Sequence, residues 1–298
     1  KYDYRLGLSA TPKRYFDKKG TQKLYDYFGG VIFSFPLDKA INTFNPMTGN
    51  TFLVPYKYNI RFVNLYGEEI DEYSKLTQKI IAIIRNDKNT NTKDDLLERL
   101  LFKRADIIKN AKNKYKALSE IIEEIISDLY WTIIYCSPKQ IHQIMRILNQ
   151  YKILAHMFTM SEGTKERSEF NGFSERNYLL KEFSKKKYQV LVAMKCLDEG
   201  MDIPPARKAI FMSSSGNHRE YFQRIGRVLR TYPQKNMAEL FDIIVVPSIN
   251  NFSEDSKKIE KKIFKKELKR YTEIAKNAIN RAEVLEKIYE IEENIRRI

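Results

Sequence analysis

Between Thr132 and Val246 the chain alternates short, wholly apolar, β-rich runs with stretches of helical periodicity, a pattern that few folds can use. The runs are Thr132–Cys136, Lys152–Met157, Tyr188–Met194, Lys208–Met212 and Phe241–Val246; Pro138–Gln150, Glu175–Lys185 and His218–Arg230 read as helices between them. A strand that is apolar on both faces needs cover on both, which a parallel sheet with helices on either side supplies. The pattern predicts an α/β domain built on a doubly wound parallel sheet.

The flanks carry other patterns. Residues 52–66 (FLVPYKYNIRFVNLY) alternate apolar and polar around Pro55 and read as an edge strand or ribbon. Residues 68–128 turn helical, interrupted by a polar loop at Arg85–Lys93, and form a helical insertion without a chemical signature. In the tail, Phe264, Leu268, Tyr271, Ala275, Ala278, Ala282, Leu285 and Tyr289 follow a 4-3-4-3 spacing. This spacing predicts one long C-terminal helix whose stripe faces its own domain or a coiled-coil partner. The expected divisions are residues 1–51, 52–250 and 251–298.

Composition narrows the partners. The 298 residues are 43% hydrophobic, enough for a packed core, and no apolar run approaches the roughly 20 residues of a membrane span. A net charge of +15 favours a polyanion such as nucleic acid, although a Lys-, Asn- and Ile-rich composition alone also gives a basic chain. Cys136 and Cys196 sit in apolar stretches with no CxxC or Cys/His cluster, so reduced thiols, no metal site and a cytoplasmic setting are expected. The opening KYDYRLGLSATP is neither a signal nor a transit peptide, and without an initiating Met it reads as a start inside a longer protein.

Four stretches carry possible chemistry. In LSATP, Ser9 and Thr11 are small hydroxyl residues able to exchange hydrogen bonds between neighbouring lobes. In IIYCS, Ser137 follows a strand and could bond a phosphate. In VLVAMKCLDEGMDIP, Gly200 permits close backbone approach, and Asp202 suits a ribose hydroxyl or, equally, caps a backbone amide. In QRIGRVLR, Gln223, Arg227 and Arg230 share one helical face. Paired guanidiniums suit a transferring phosphoryl group, but a solvated basic face has the same pattern. Gly226 costs a helix roughly 1 kcal/mol against Ala, which hints at close packing or ligand approach.

In this order and spacing the four stretches resemble motifs III, IV, V and VI of superfamily 2 helicases. LDEGMDIP followed by REYFQRIGRVLR resembles XPB-like helicases and the motor subunits of type I and type III restriction enzymes. The resemblance spans residues 4–247 and implies a RecA-like second lobe at 52–250. The first 51 residues would then hold the end of the first lobe, with motif III, and the connection between lobes. It implies that Arg227 and Arg230 act as arginine fingers and that Gly200, Asp202 and Gln223 approach the nucleotide. Ser9 and Thr11 would couple ATP state to grip, and Ser137 would touch the nucleic-acid backbone. Met194 departs from the Thr or Ser of many relatives, which puts a phosphate contact there in question.

No GxxxxGK[ST] loop and no acidic box before LSATP occur. ATP and Mg²⁺ would therefore be held mainly by an N-terminal RecA-like lobe of the same parent protein, and the chain alone is expected to be inactive. The implied substrate is nucleic acid, DNA rather than RNA, with a protein partner possible through the C-terminal helix. A non-catalytic nucleic-acid-binding or scaffold module on the same fold is the alternative.

Overall fold

The computed structural model describes residues 4–9, 17–85, 91–159, 162–163, 165–194, 203, 205–213, 218–246 and 252–297. Helices α1 (Lys18–Phe28) and α2 (Leu37–Asn42) and a two-stranded ribbon, β1 (Phe44–Asn45) with β2 (Asn50–Thr51), come first. Then follow β3 (Tyr56–Asn64), α3 (Gly67–Arg85), α4 (Asn91–Lys109) and α5 (Asn113–Ile125). The alternating part is β4 (Thr132–Tyr135), α6 (Ile141–Gln150), β5 (Ala155–Phe158), α7 (Glu175–Ser184), β6 (Val190–Ala193), β7 (Lys208–Phe211), α8 (His218–Val228) and β8 (Ala238–Val246). Helices α9 (Glu254–Ala275) and α10 (Arg281–Arg297) complete it.

Among the described residues the main sheet has six strands in the order β3-β8-β7-β4-β6-β5, all parallel. From β4 the chain first builds to one side, through β5 and β6, and then to the other, through β7 and β8. The doubly wound expectation holds, and the 52–66 segment supplies the sixth strand, β3, at one edge with Pro55 just before it. Both faces of the central strands are buried, as their apolar runs require. Ile133, Tyr135, Leu191, Phe211 and Leu240 point to a layer shared with α8, α9 and α10. Ile134, Val192, Ile210 and Ile243 point to the layer under α5 and α6. Helix α5 is thus part of the sheet's own cover rather than a separate insertion.

The single long C-terminal helix is not what forms. The chain turns at residues 276–280, and α10 folds back beside α9. Two forces break the helix. Asn277 and Asn280 are poor helix formers, and β3 offers backbone groups that need partners. The Ile279 N–H donates to the Tyr56 carbonyl (2.9 Å). The Asn280 side chain accepts from the Tyr58 N–H (2.9 Å) and donates to the Tyr58 carbonyl (3.0 Å). The turn caps the exposed edge of the sheet. The heptad phase is lost there: Ala282 and Tyr289 are exposed, while burial passes to Val284, Ile288 and Ile295. No helix of the described residues is long and apolar enough to cross a membrane.

Candidate functional site

Ligands of open α/β sheets gather outside the carboxyl ends of the strands, where the winding changes direction. Here that point lies at the ends of β4, β6 and β7. Ser137 stands there, just past β4, but its hydroxyl is not free as the sequence suggested. It is buried and donates to the Asn110 side-chain oxygen, while the Ser137 N–H donates to Gln140 Oε1 (2.9 Å). Gln140 in turn donates to the Lys109 carbonyl (3.0 Å), and Lys114 Nζ donates to the Met212 carbonyl (2.8 Å), just beyond β7. The α4–α5 junction therefore sits on the carboxyl edge of β4 and β7. Sequence reasoning found no chemistry in that insertion because its polar groups have no motif spacing; only the fold brings them to the edge.

Gly200, Asp202 and Thr11 lie outside the described residues, as does most of the 195–204 segment. Met194, the last described residue before that segment, donates its N–H to the Phe158 carbonyl (3.2 Å). Ser9 is exposed in a segment outside helix and strand where Tyr4, Leu6 and Leu8 are also exposed, at 94, 75 and 89%. Those three apolar residues alternate with strand periodicity, yet among the described residues they pair with no strand.

Helix α8 starts beside the carboxyl edge and runs back against the strands. Its buried half holds Tyr221, Arg224, Ile225 and Val228. The other half holds Gln223, Gly226 and Arg227, partly exposed, and then Arg230, exposed just past the helix end. The structure thus brings the three expected side chains to one outward face. It also separates them from Ser137, because this end of α8 lies at the amino ends of β3 and β8. There the Val54 N–H donates to the Leu229 carbonyl (2.8 Å), and Leu53 bridges to Arg230. Lys235 Nζ donates to the Val228 and Arg230 carbonyls (2.6 and 2.7 Å), neutralising the last turn's bare acceptors. The arginines therefore stand next to the chain that enters from residues 36–51.

Gly226 resolves one ambiguity. A Cβ added there would meet no heavy atom within 4 Å, apart from neighbours in its own helix. Packing among the described residues does not demand a glycine.

Two features of α8 escaped sequence reading. Arg224, between the expected residues, is turned inward with its guanidinium 5.1 Å from the Tyr135 ring centroid. Its place among Tyr221, Ile225 and Val228 on the apolar side was the available signal. The second feature is a carboxylate in the core. Asp242 accepts from the Tyr58 hydroxyl (3.0 Å) and from the Tyr221 hydroxyl, while the Arg270 guanidinium lies 4.9 Å over the Tyr221 ring. Burial holds the Asp242 carboxyl above its ordinary pKa, and the two hydroxyl bonds only partly offset this. The cluster ties α8 to β3, β8 and α9, and so fixes which face of α8 looks outward.

Residues 113–232, from the start of α5 to just past Arg230, match the family described as Helicase conserved C-terminal domain. Over those residues the chain is similar to the C-terminal domain of superfamily 2 helicases. It is 29% identical over 243 residues to DNA 3'-5' translocase XPB2 of Sulfurisphaera tokodaii, covering 76% of this chain and 50% of that protein. Among solved structures, the Sulfolobus solfataricus SWI2/SNF2 ATPase core in complex with dsDNA shares the fold. Its TM-score is 0.51 at 17% identity, over 87% of this chain and 53% of that one. The chain thus spans about half the length of the relatives it matches. The helicase-domain match takes in Ser137, residues 195–204 and Gln223–Arg230, and leaves Ser9 and Thr11 outside it.

Proposed function

We propose that this helicase C-terminal domain is the second lobe of an ATP-driven DNA translocase, supplying Arg227 and Arg230 to a nucleotide held by a preceding lobe. The observation that carries this reading is the outward face of α8, where Gln223, Gly226, Arg227 and Arg230 line up beside the entering chain at Leu53–Val54. Guanidiniums presented this way bind phosphate oxygens bidentately and offset charge that develops on a transferring phosphoryl group. The open space at Gly226 suits the approach of a triphosphate or of the lobe that carries it.

The exposed apolar residues of the first 52 positions support a neighbouring lobe. Val31, Ile32, Phe33, Phe44 and Met47 are 53–91% exposed, as are Leu6 and Leu8, more than a folded surface usually leaves open together. On this reading Ser9 and Thr11 belong to the first lobe and couple nucleotide state to grip. Gly200 and Asp202 approach the nucleotide sugar. ATP fits the residues present only in part: the arginines suit its phosphates, while the lysine loop and Mg²⁺ ligands must come from the preceding lobe. Ser137 would meet a nucleic-acid phosphate by exchanging its bond to Asn110. DNA is favoured over RNA by the likeness to a DNA translocase. Cys136, buried and outside any disulfide, accords with a reducing, cytoplasmic setting.

The test pairs two substitutions in the full-length parent. Arg230→Ala should lower ATP turnover by about 10³-fold or more while nucleic-acid binding persists. Gly226→Ala should stabilise the isolated chain by about 1 kcal/mol, yet impair the parent's turnover. Unchanged turnover in both variants would sink the assigned roles.

A further inference from the structure

The C-terminal helix pair takes no part in the proposed nucleotide site, and its charge is sorted. We propose that α9 is a second nucleic-acid contact, a lysine rail that holds the phosphate backbones of a duplex; this rests on the reading that the chain works on nucleic acid. Lys258, Lys262, Lys266, Lys269 and Lys276 are all exposed. At 3.6 residues per turn they fall within a sector of about 80° and extend over about 27 Å of helix. Lys265, beside them, reaches across to Glu292 of α10 (3.4 Å). By position only Asp255 and Glu273 bring acid to that sector.

The excess arises from how the fold spends its carboxylates. Glu260 of α9 is turned inward, accepting from the Tyr73 hydroxyl (2.8 Å) and pairing with the Arg104 guanidinium. Glu267, also drawn to the interior, has its carboxyl pushed above the ordinary range by burial. Glu260 is thereby removed from the surface and Glu267 is half-buried, both on the side of the helix away from the lysines, which remain outside. Meanwhile α10 gathers Glu283, Glu286, Glu290, Glu292 and Glu293, several paired with Lys287 and Arg296. A general solubilising coat would mix the signs on both helices.

The shape favours a duplex. The rail runs along one helix, and its aromatic residues, Phe264 and Tyr271, are buried, so no ring is offered for a base to stack on, as single-strand sites use. Duplex DNA presents a phosphate charge every ~1.7 Å along its axis, and a rigid row of ammonium groups meets it without reading sequence. The rail also joins the carboxyl edge. Phe252, before α9, stacks on Tyr73 of α3 (6.4 Å), and the far end reaches Tyr56 at the amino end of β3. A duplex on α9 would therefore cross the molecule from one edge of the sheet to the other.

The experiment uses the full 298-residue chain and a variant carrying Lys258→Gln, Lys262→Gln, Lys266→Gln and Lys269→Gln, titrated against a labelled DNA duplex and a single strand at several salt concentrations. The variant should lose at least about ten-fold in duplex affinity, and the slope of log K against log salt should flatten by about 3. A second variant with four arginines at the same positions should restore both, and matching circular dichroism and melting curves exclude misfolding. Wild-type affinity and slope in the glutamine variant overturn the rail while leaving the motor reading intact. Failure of the wild-type chain to bind either nucleic acid overturns the motor reading and the rail with it. Equal binding to anionic phosphatidylserine vesicles at matched charge overturns duplex recognition.

Discussion

At the scale of single residues, the clearest consequence of the fold lies with Lys114. In the sequence it is one lysine among many, at the start of a helix of an unremarked insertion. In the structure its ammonium is buried against the Met212 carbonyl, and burial lowers its pKa from 10.5 to about 8, with Asp242 only partly opposing the shift. Between those two values the unfolded chain binds more protons than the folded one, so stability should rise with pH across that window. The difference in unfolding free energy between the wild type and Lys114→Met, followed from pH 7 to 10.5, should grow in favour of the wild type by about 3 kcal/mol. A difference that does not vary with pH would show that Lys114 is not buried as a cation. The reading of Arg227 and Arg230 was accessible because a helix repeats every 3.6 residues. The capture of Ser137 by Asn110 was not accessible, because no local pattern links residue 110 to residue 137.

At the scale of elements, the parallel strands were the most legible part. Strands apolar on both faces have one comfortable environment, and each central run is found there. The C-terminal helix was misread because a heptad count measures spacing and ignores what lies beside the chain. Beside it lies the edge of β3, whose open backbone groups compete for residues 276–280. Asn280 makes two bonds to Tyr58 there, and its loss would leave a strand N–H and carbonyl without protein partners. Asn280→Ala should therefore cost about 1–3 kcal/mol in denaturant unfolding, whereas Asn277→Ala at the same turn should cost less. Equal effects at the two positions would argue that the turn itself, and not the cap on β3, matters.

At the scale of the whole molecule, α9 and α10 are part of the domain's core rather than an appendage. Phe264, Leu268, Tyr271 and Ile274 are buried against the layer that holds Tyr56 and Tyr58. Deleting residues 253–298 should expose that face and an uncapped parallel edge strand, and light scattering should report self-association of the shortened chain. A shortened chain that stays monomeric with unchanged stability would contradict this packing. The opposite asymmetry holds at the other end, where Leu6, Leu8, Val31, Ile32, Phe33, Phe44 and Met47 are left outside. The molecule is closed by its own tail and open toward the side from which the chain enters.

The sequence by itself determined the parallel α/β core, the helicase-domain motifs it carries and the shared face of Gln223, Arg227 and Arg230. All of these follow from local periodicity or from short contiguous motifs, which are written in neighbouring residues. Only the tertiary structure decided that Ser137 is engaged by Asn110, that Arg224 and Asp242 are interior, that the tail folds back over β3, and that α9 keeps its lysines outside. These depend on contacts between residues far apart in the chain, where burial and the need to satisfy backbone polar groups outweigh any local preference.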